Sequence, residues 1–166
     1  MTLRFGLLRL VALVAFVALA VCVPGRQTFA DPGGGSPFNT LLGSWGGGGE
    51  YRLEDGTAQR VKCNAYYTGG GTQLGMVIRC SSDTSKIEIR SKLSSSGGRI
   101  TGSWEERTYN AEGSASGSAT GDKISLQISG AVSGTMQVAY TASRQSVLIS
   151  TQGVGLRSVN ITLGRS

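Results

Sequence analysis

Apolar and polar residues alternate in short segments throughout residues 41–166, and this pattern constrains the fold more than any other feature of the chain. Residues 61–67 and 74–80 are two clear examples, and Gly and Ser residues separate such segments about every 8–12 residues. No window sustains the i, i+3, i+4, i+7 spacing of an amphipathic helix. Alternation of period two indicates strands with one buried and one solvated face, so we expect an all-β protein of about ten strands in meander order.

A long antiparallel meander closes most simply on itself, because closure removes exposed strand edges. We therefore predict an antiparallel up-and-down β-barrel of about 8–10 strands, with a two-sheet β-sandwich as the alternative. The four glycines at 46–49 would let the first strand bend as a small barrel requires.

One hairpin can be placed in register from the sequence. If Cys63 pairs with Cys80, then Ala65 faces Ile78, and a two-residue loop at 71–72 joins the strands. This register alone puts both sulfur atoms and both apolar sets on one face. An even pair of cysteines in an exported protein predicts a disulfide, here between Cys63 and Cys80.

The N-terminal 30 residues read as a targeting segment. Arg4 and Arg9 precede an uncharged apolar run at 10–23, and Thr28 and Ala30 occupy the −3 and −1 positions of a cleavage site. We expect a signal peptide at 1–30, a flexible Gly/Pro-rich arm at 31–40 and a single β-barrel domain at 41–166. A lipoprotein anchored through Cys22 is the minor alternative.

These features predict an exported protein, periplasmic or secreted, that does not span a membrane after cleavage. Residues 31–166 keep 16 − 3 = 13 basic and 10 acidic residues, a net charge of +3 that does not call for nucleic acid. An outer-membrane barrel needs an apolar outer band, whereas the outer positions here are polar or charged.

The tripeptide Gly-Ser-Trp occurs at 43–45 and at 102–104, and it contains both tryptophans of the chain. A Gly-x-Trp motif at the start of the first strand resembles the lipocalin and avidin group of barrels. The resemblance implies that Trp45 closes one end of the barrel and that an arginine of the last strand, Arg157 or Arg165, packs across it. As a whole, the chain also resembles small exported proteins of rhizobia and related bacteria, which implies a compartment.

The residue inventory argues against catalysis. The chain has no histidine, which removes the commonest general base and most zinc sites. No second carboxylate can be placed opposite Glu106, which shares the face of Trp104. We therefore expect no enzyme activity, no cofactor and no metal.

The expected function is binding of a small apolar ligand or an anionic envelope component. The residues expected at the barrel end, where such a ligand would bind, are Trp45, Trp104, Tyr67 and Tyr140. A basic patch on the outer face could hold an anion or could be an ordinary solvated surface; it comprises Lys62, Arg79, Lys86, Arg90 and Lys92. The alternative is a protein-interaction module, such as a periplasmic protease inhibitor that inserts the arm at 31–39 into an enzyme.

Overall fold

The computed structural model describes residues 35–166, which form ten antiparallel strands and no helix. The predicted signal peptide and the Cys22 lipoprotein site lie outside the described residues. The strands are β1 (Gly43–Leu53), β2 (Ala58–Gly70), β3 (Gln73–Ser81), β4 (Lys86–Ser96), β5 (Arg99–Glu106), β6 (Ala111–Thr120), β7 (Lys123–Gly130), β8 (Ser133–Tyr140), β9 (Arg144–Gln152) and β10 (Leu156–Arg165).

Each strand pairs with its neighbours in the chain, and β1 pairs with β10, so the sheet closes into an up-and-down barrel. The closing ladder runs from Trp45 opposite Arg165 to Leu53 opposite Leu156. The predicted barrel is confirmed and the alternative sandwich is not formed. Closure explains how a chain with many small polar strands avoids exposed edges.

The β2–β3 hairpin has the register predicted from its two cysteines. Cys63 lies opposite Cys80, Ala65 lies opposite Ile78, and the strands are joined across residues 71–72. The two sulfur atoms are bonded at 2.08 Å, which confirms the disulfide. A bridge that spans 17 residues stabilises the fold by about 3 kcal/mol in the chain-entropy model.

The glycine run in β1 lets this strand lie unusually close to both neighbours. A Cβ atom on Gly49 would collide with the carbonyl oxygen of Asn160 in β10, and one on Gly48 would collide with that of Val61 in β2. Glycine is therefore required here by the close approach of the strands.

The inner faces of the strands form one core that surrounds the barrel axis. Its largest fully buried side chains are Trp45, Phe38, Leu41, Ile100 and Leu163. All five lie towards one end of the barrel or in the segment before β1.

Candidate ligand-binding lumen

The barrel has two different ends, which are defined by the turns between strands. The turns at 71–72, 97–98, 121–122 and 141–143 lie at one end, together with the start of β1 and the end of β10. We call this the closed end. The turns at 54–57, 82–85, 107–110, 131–132 and 153–155 lie at the other, which we call the open end.

A short segment before β1 seals the closed end. The side chain of Phe38 is completely buried, and Leu41 is 1% exposed. The indole Nε1 of Trp45 donates a hydrogen bond of 2.7 Å to the carbonyl oxygen of Leu41. The hydroxyl of Tyr140 donates to the carbonyl oxygen of Pro37 at 2.8 Å. Within the arm predicted for 31–40, Phe38 is therefore packed into the apolar core of the barrel.

The arginine that packs across Trp45 is Arg165. Its guanidinium carbon lies 4.4 Å from the centroid of the Trp45 ring. The same group donates hydrogen bonds to the carbonyl oxygens of Thr40, Leu42 and Ala142. The planar guanidinium carries several donors in a fixed geometry, so it can bridge the segment before β1 and the β8–β9 turn at once.

Beyond this seal, the barrel encloses a cavity of about 690 Å³. It reaches exposed residues at the open end, including Tyr109, Ala131 and Gly155, so solvent can enter there. Aliphatic side chains supply most of the lining, among them Val61, Leu74, Ile78, Leu126, Met136, Val138, Val147, Ile149 and Ile161. The cavity has the size and the apolar lining of sites that hold small ligands in proteins.

One buried hydrogen-bonded pair lies at the floor of the cavity. The hydroxyl of Tyr67 donates to Oε1 of Gln145 at 2.7 Å. Burial raises the pKa of Tyr67, only partly opposed by this hydrogen bond, so the phenol is neutral at physiological pH. Gln145 is 1% exposed, and its Nε2 has no partner among the described residues.

Glu106 is the one charged residue in the cavity lining, and it lies near the open end. Its carboxylate accepts hydrogen bonds from the backbone amides of Glu88 at 3.2 Å, Thr108 at 3.0 Å and Tyr109 at 2.7 Å. These bonds anchor the β5–β6 turn and use three of the acceptor sites of the carboxylate. Glu106 is therefore a structural anion at the cavity mouth.

The four aromatic residues expected at the barrel end are divided between two environments. Trp104 and Tyr67 line the cavity, whereas Trp45 and Tyr140 belong to the closed end and are not among its lining residues. Trp104 extends its indole over Gly113 of β6, where a Cβ atom would lie 2.9 Å from Nε1. Whether any of them contacts a ligand stays a prediction.

The basic patch is only partly available to an anion. Arg79 and Arg90 both pair with Glu88, at 2.9 Å and 2.6 Å, and these contacts lower the pKa of Glu88. The remaining members are exposed on two strands, Lys62 on β2 and both Lys86 and Lys92 on β4. Such exposed ion pairs contribute little to stability.

Gln145, the buried partner of Tyr67, is a residue that the sequence pattern did not single out. It lies on the inner face of β9, two residues before Val147, although a polar residue beside a turn is expected to face solvent. Extending the alternation of Val147 and Ile149 backwards by one step would have placed it inside.

Residues 35–166 hold no group of three or more His, Cys, Asp or Glu side chains arranged to bind a metal ion. Within the same residues, no helix is long and apolar enough to cross a membrane.

No protein-family model and no curated protein matches the chain. Among solved structures, Rv2717c from M. tuberculosis matches with a TM-score of 0.65 and 16% identity, over 78% of this chain and 94% of that one. At this identity the likeness shows the fold alone, a small closed β-barrel.

Two further structures match less well. A redesigned β-barrel has a TM-score of 0.45 and 14% identity, over 76% of this chain and 92% of that one. The S-type phycobiliprotein lyase CPES from Guillardia theta has a TM-score of 0.45 and 12% identity, over 77% and 89%. None of the three bears on the resemblance to exported rhizobial proteins.

Proposed function

We propose that this protein is a non-enzymatic carrier that binds one small apolar molecule inside its barrel. The observation that supports this most is the cavity of about 690 Å³, which is lined almost entirely by apolar side chains. A chain that only needed a stable shell would fill its interior with side chains, as other small barrels do. An apolar ligand would instead exclude water from this surface, and the gain scales with the apolar area covered.

The two ends of the barrel give the route of binding. The closed end is sealed by Phe38, Trp45 and Arg165, so a ligand enters between the turns of the open end. The disulfide indicates an oxidising, exported compartment. We infer that the carrier works in the periplasm or outside the cell, where an apolar molecule needs protection from water.

The alternative of a protease inhibitor receives less support. It depends on a free arm at 31–39, yet Phe38 is buried in the core, and the Pro37 carbonyl accepts a hydrogen bond from Tyr140. An arm held in this way cannot extend into the cleft of an enzyme without unsealing the barrel.

Titration with N-phenyl-1-naphthylamine, an uncharged fluorescent probe, tests the proposal. We expect saturable binding at one site per chain, together with quenching of tryptophan emission. Ile128→Trp places bulk in the cavity and should weaken binding at least about tenfold by removing apolar contact area. Gln127→Trp adds the same side chain on the outer face of the same strand and should bind as the wild type does.

Folding of both variants is checked by circular dichroism before titration. A linear, non-saturable response of the wild type would contradict binding in the cavity. Equal probe affinity of the two variants would contradict it as well.

A further inference from the structure

The lining of the cavity and the outer surface of the barrel differ in charge, and this difference determines which class of ligand can bind. The described chain carries many Lys and Arg side chains, but those of the barrel wall point outward, and none lines the cavity. The lining has a single charged residue, the anion Glu106, near the mouth. We propose that the cavity selects an uncharged apolar molecule and discriminates against carboxylates, including fatty acids. This inference rests on the proposed function.

A carboxylate that enters this cavity would lose its hydration without gaining a cation. Burial of an unpaired charge is among the most unfavourable processes in a protein interior. The hydroxyl donors that line the cavity are partly committed already. Tyr67 donates to Gln145, Tyr51 donates to Gln59 at 2.6 Å, and Thr151 donates to the carbonyl of Leu156. Two donors without a partner among the described residues remain, Nε1 of Trp104 in the lining and Nε2 of Gln145 beside Tyr67, but both are uncharged and cannot replace a cation.

A ligand could instead leave an anionic headgroup at the mouth of the cavity, but this position is unfavourable for another reason. There it would lie close to the carboxylate of Glu106, and like charges at short distance repel each other. A cationic headgroup would be attracted by the same carboxylate, but it would still lose its hydration inside the apolar cavity. The charges of the lining therefore count most strongly against a carboxylate.

Displacement of the naphthylamine probe by three ten-carbon molecules tests this selectivity. Methyl decanoate and decan-1-ol are uncharged, and decanoate is fully ionised at about pH 8. We expect the two neutral molecules to displace the probe with similar affinity. Decanoate should bind at least about tenfold more weakly than methyl decanoate.

A matched pair of variants places a cation inside or outside the barrel. Ser91 is 8% exposed and lines the cavity, so Ser91→Lys introduces an ammonium group into the lumen. It should raise the affinity for decanoate at least about tenfold relative to methyl decanoate. Ser94→Lys makes the same change on the outer face of the same strand and should leave the wild-type selectivity unchanged. If Ser91→Lys does not fold, the wild-type comparison still decides the question.

The outcomes separate the two proposals. If none of the three molecules displaces the probe from the wild type, the carrier function fails. If decanoate binds within about threefold of methyl decanoate, the carrier function stands and the selectivity is overturned. Selectivity that is equal in the Ser91→Lys and Ser94→Lys variants would also overturn it.

Discussion

Arg165 and Trp45 are stacked at the closed end of the barrel, with the guanidinium carbon 4.4 Å from the ring centroid. They are also partners in the ladder that joins β10 to β1. The contact therefore reinforces the barrel where its first and last strands meet. The hydrogen bonds from Arg165 to Thr40 and Leu42 tie the sealing segment to the same point.

Replacement of Arg165 by alanine should lower the free energy of unfolding by about 1–2 kcal/mol, because it removes the cation–π contact and three hydrogen bonds. Arg157→Ala removes an exposed arginine from the same strand and should change stability by less than about 0.5 kcal/mol. Urea unfolding monitored by tryptophan fluorescence measures both. Equal losses in the two variants would show that the stacking on Trp45 is not stabilising.

Phe38→Ala should destabilise the protein by about 3–5 kcal/mol, because a fully buried phenyl ring leaves a cavity under the seal. Asn39→Ala alters the exposed neighbour and should be close to neutral. Thermal and urea unfolding of the two variants provide the comparison. If both variants are as stable as the wild type, residues 36–41 do not seal the barrel. The segment would then be the flexible arm that the sequence predicts.

Gly49→Ala should cost about 1–3 kcal/mol, because the new methyl group collides with the backbone of β10. Gly46→Ala lies in the same glycine run and has the same effect on the unfolded chain, but its Cβ meets only side-chain oxygens, that of Ser166 at 3.3 Å and that of Asn64 at 3.6 Å. It should be neutral or slightly stabilising. Denaturant midpoints distinguish the two, and a tolerated Gly49→Ala would contradict the close approach of the strands.

The buried phenol of Tyr67 predicts a loss of stability at alkaline pH. Burial raises its pKa in the folded state, so above about pH 10 the unfolded chain releases this proton first. Stability from this group is complete below that pH and falls as pH rises, by up to about 1.4 kcal/mol per unit.

Unfolding experiments between about pH 9 and 11 check this dependence. Tyr67→Phe is less stable at neutral pH, because the Gln145 amide loses its partner, but its stability should decline less steeply with pH. Tyr66→Phe, which removes an exposed hydroxyl from the same strand, should keep the wild-type steepness. A wild-type slope in Tyr67→Phe would assign the alkaline loss to other groups.

The contrast between Cys63 and Gln145 shows how far local patterns reach. The cysteine pairing could be predicted because the apolar alternation, the two-residue loop and the sulfur positions all depend on one register within a single hairpin. The burial of Gln145 was not predicted, because a polar residue beside a turn is expected to be exposed to solvent. Its burial depends on Tyr67, which lies 78 positions away in the chain.

The sequence by itself determined the all-strand architecture, the approximate number of strands and the disulfide, since each follows from periodicity or from neighbours within one hairpin. The closing role of Trp45 was implied by the resemblance to the lipocalin and avidin group. Only the tertiary structure showed that Arg165, and not Arg157, packs on Trp45. It also showed that Phe38 is buried at the closed end and that an apolar cavity remains inside the barrel. The physical reason is closure. Whether inward side chains meet across the axis or leave space depends on how all ten strands coil around it, and alternation within one strand carries no information about the strand on the far side.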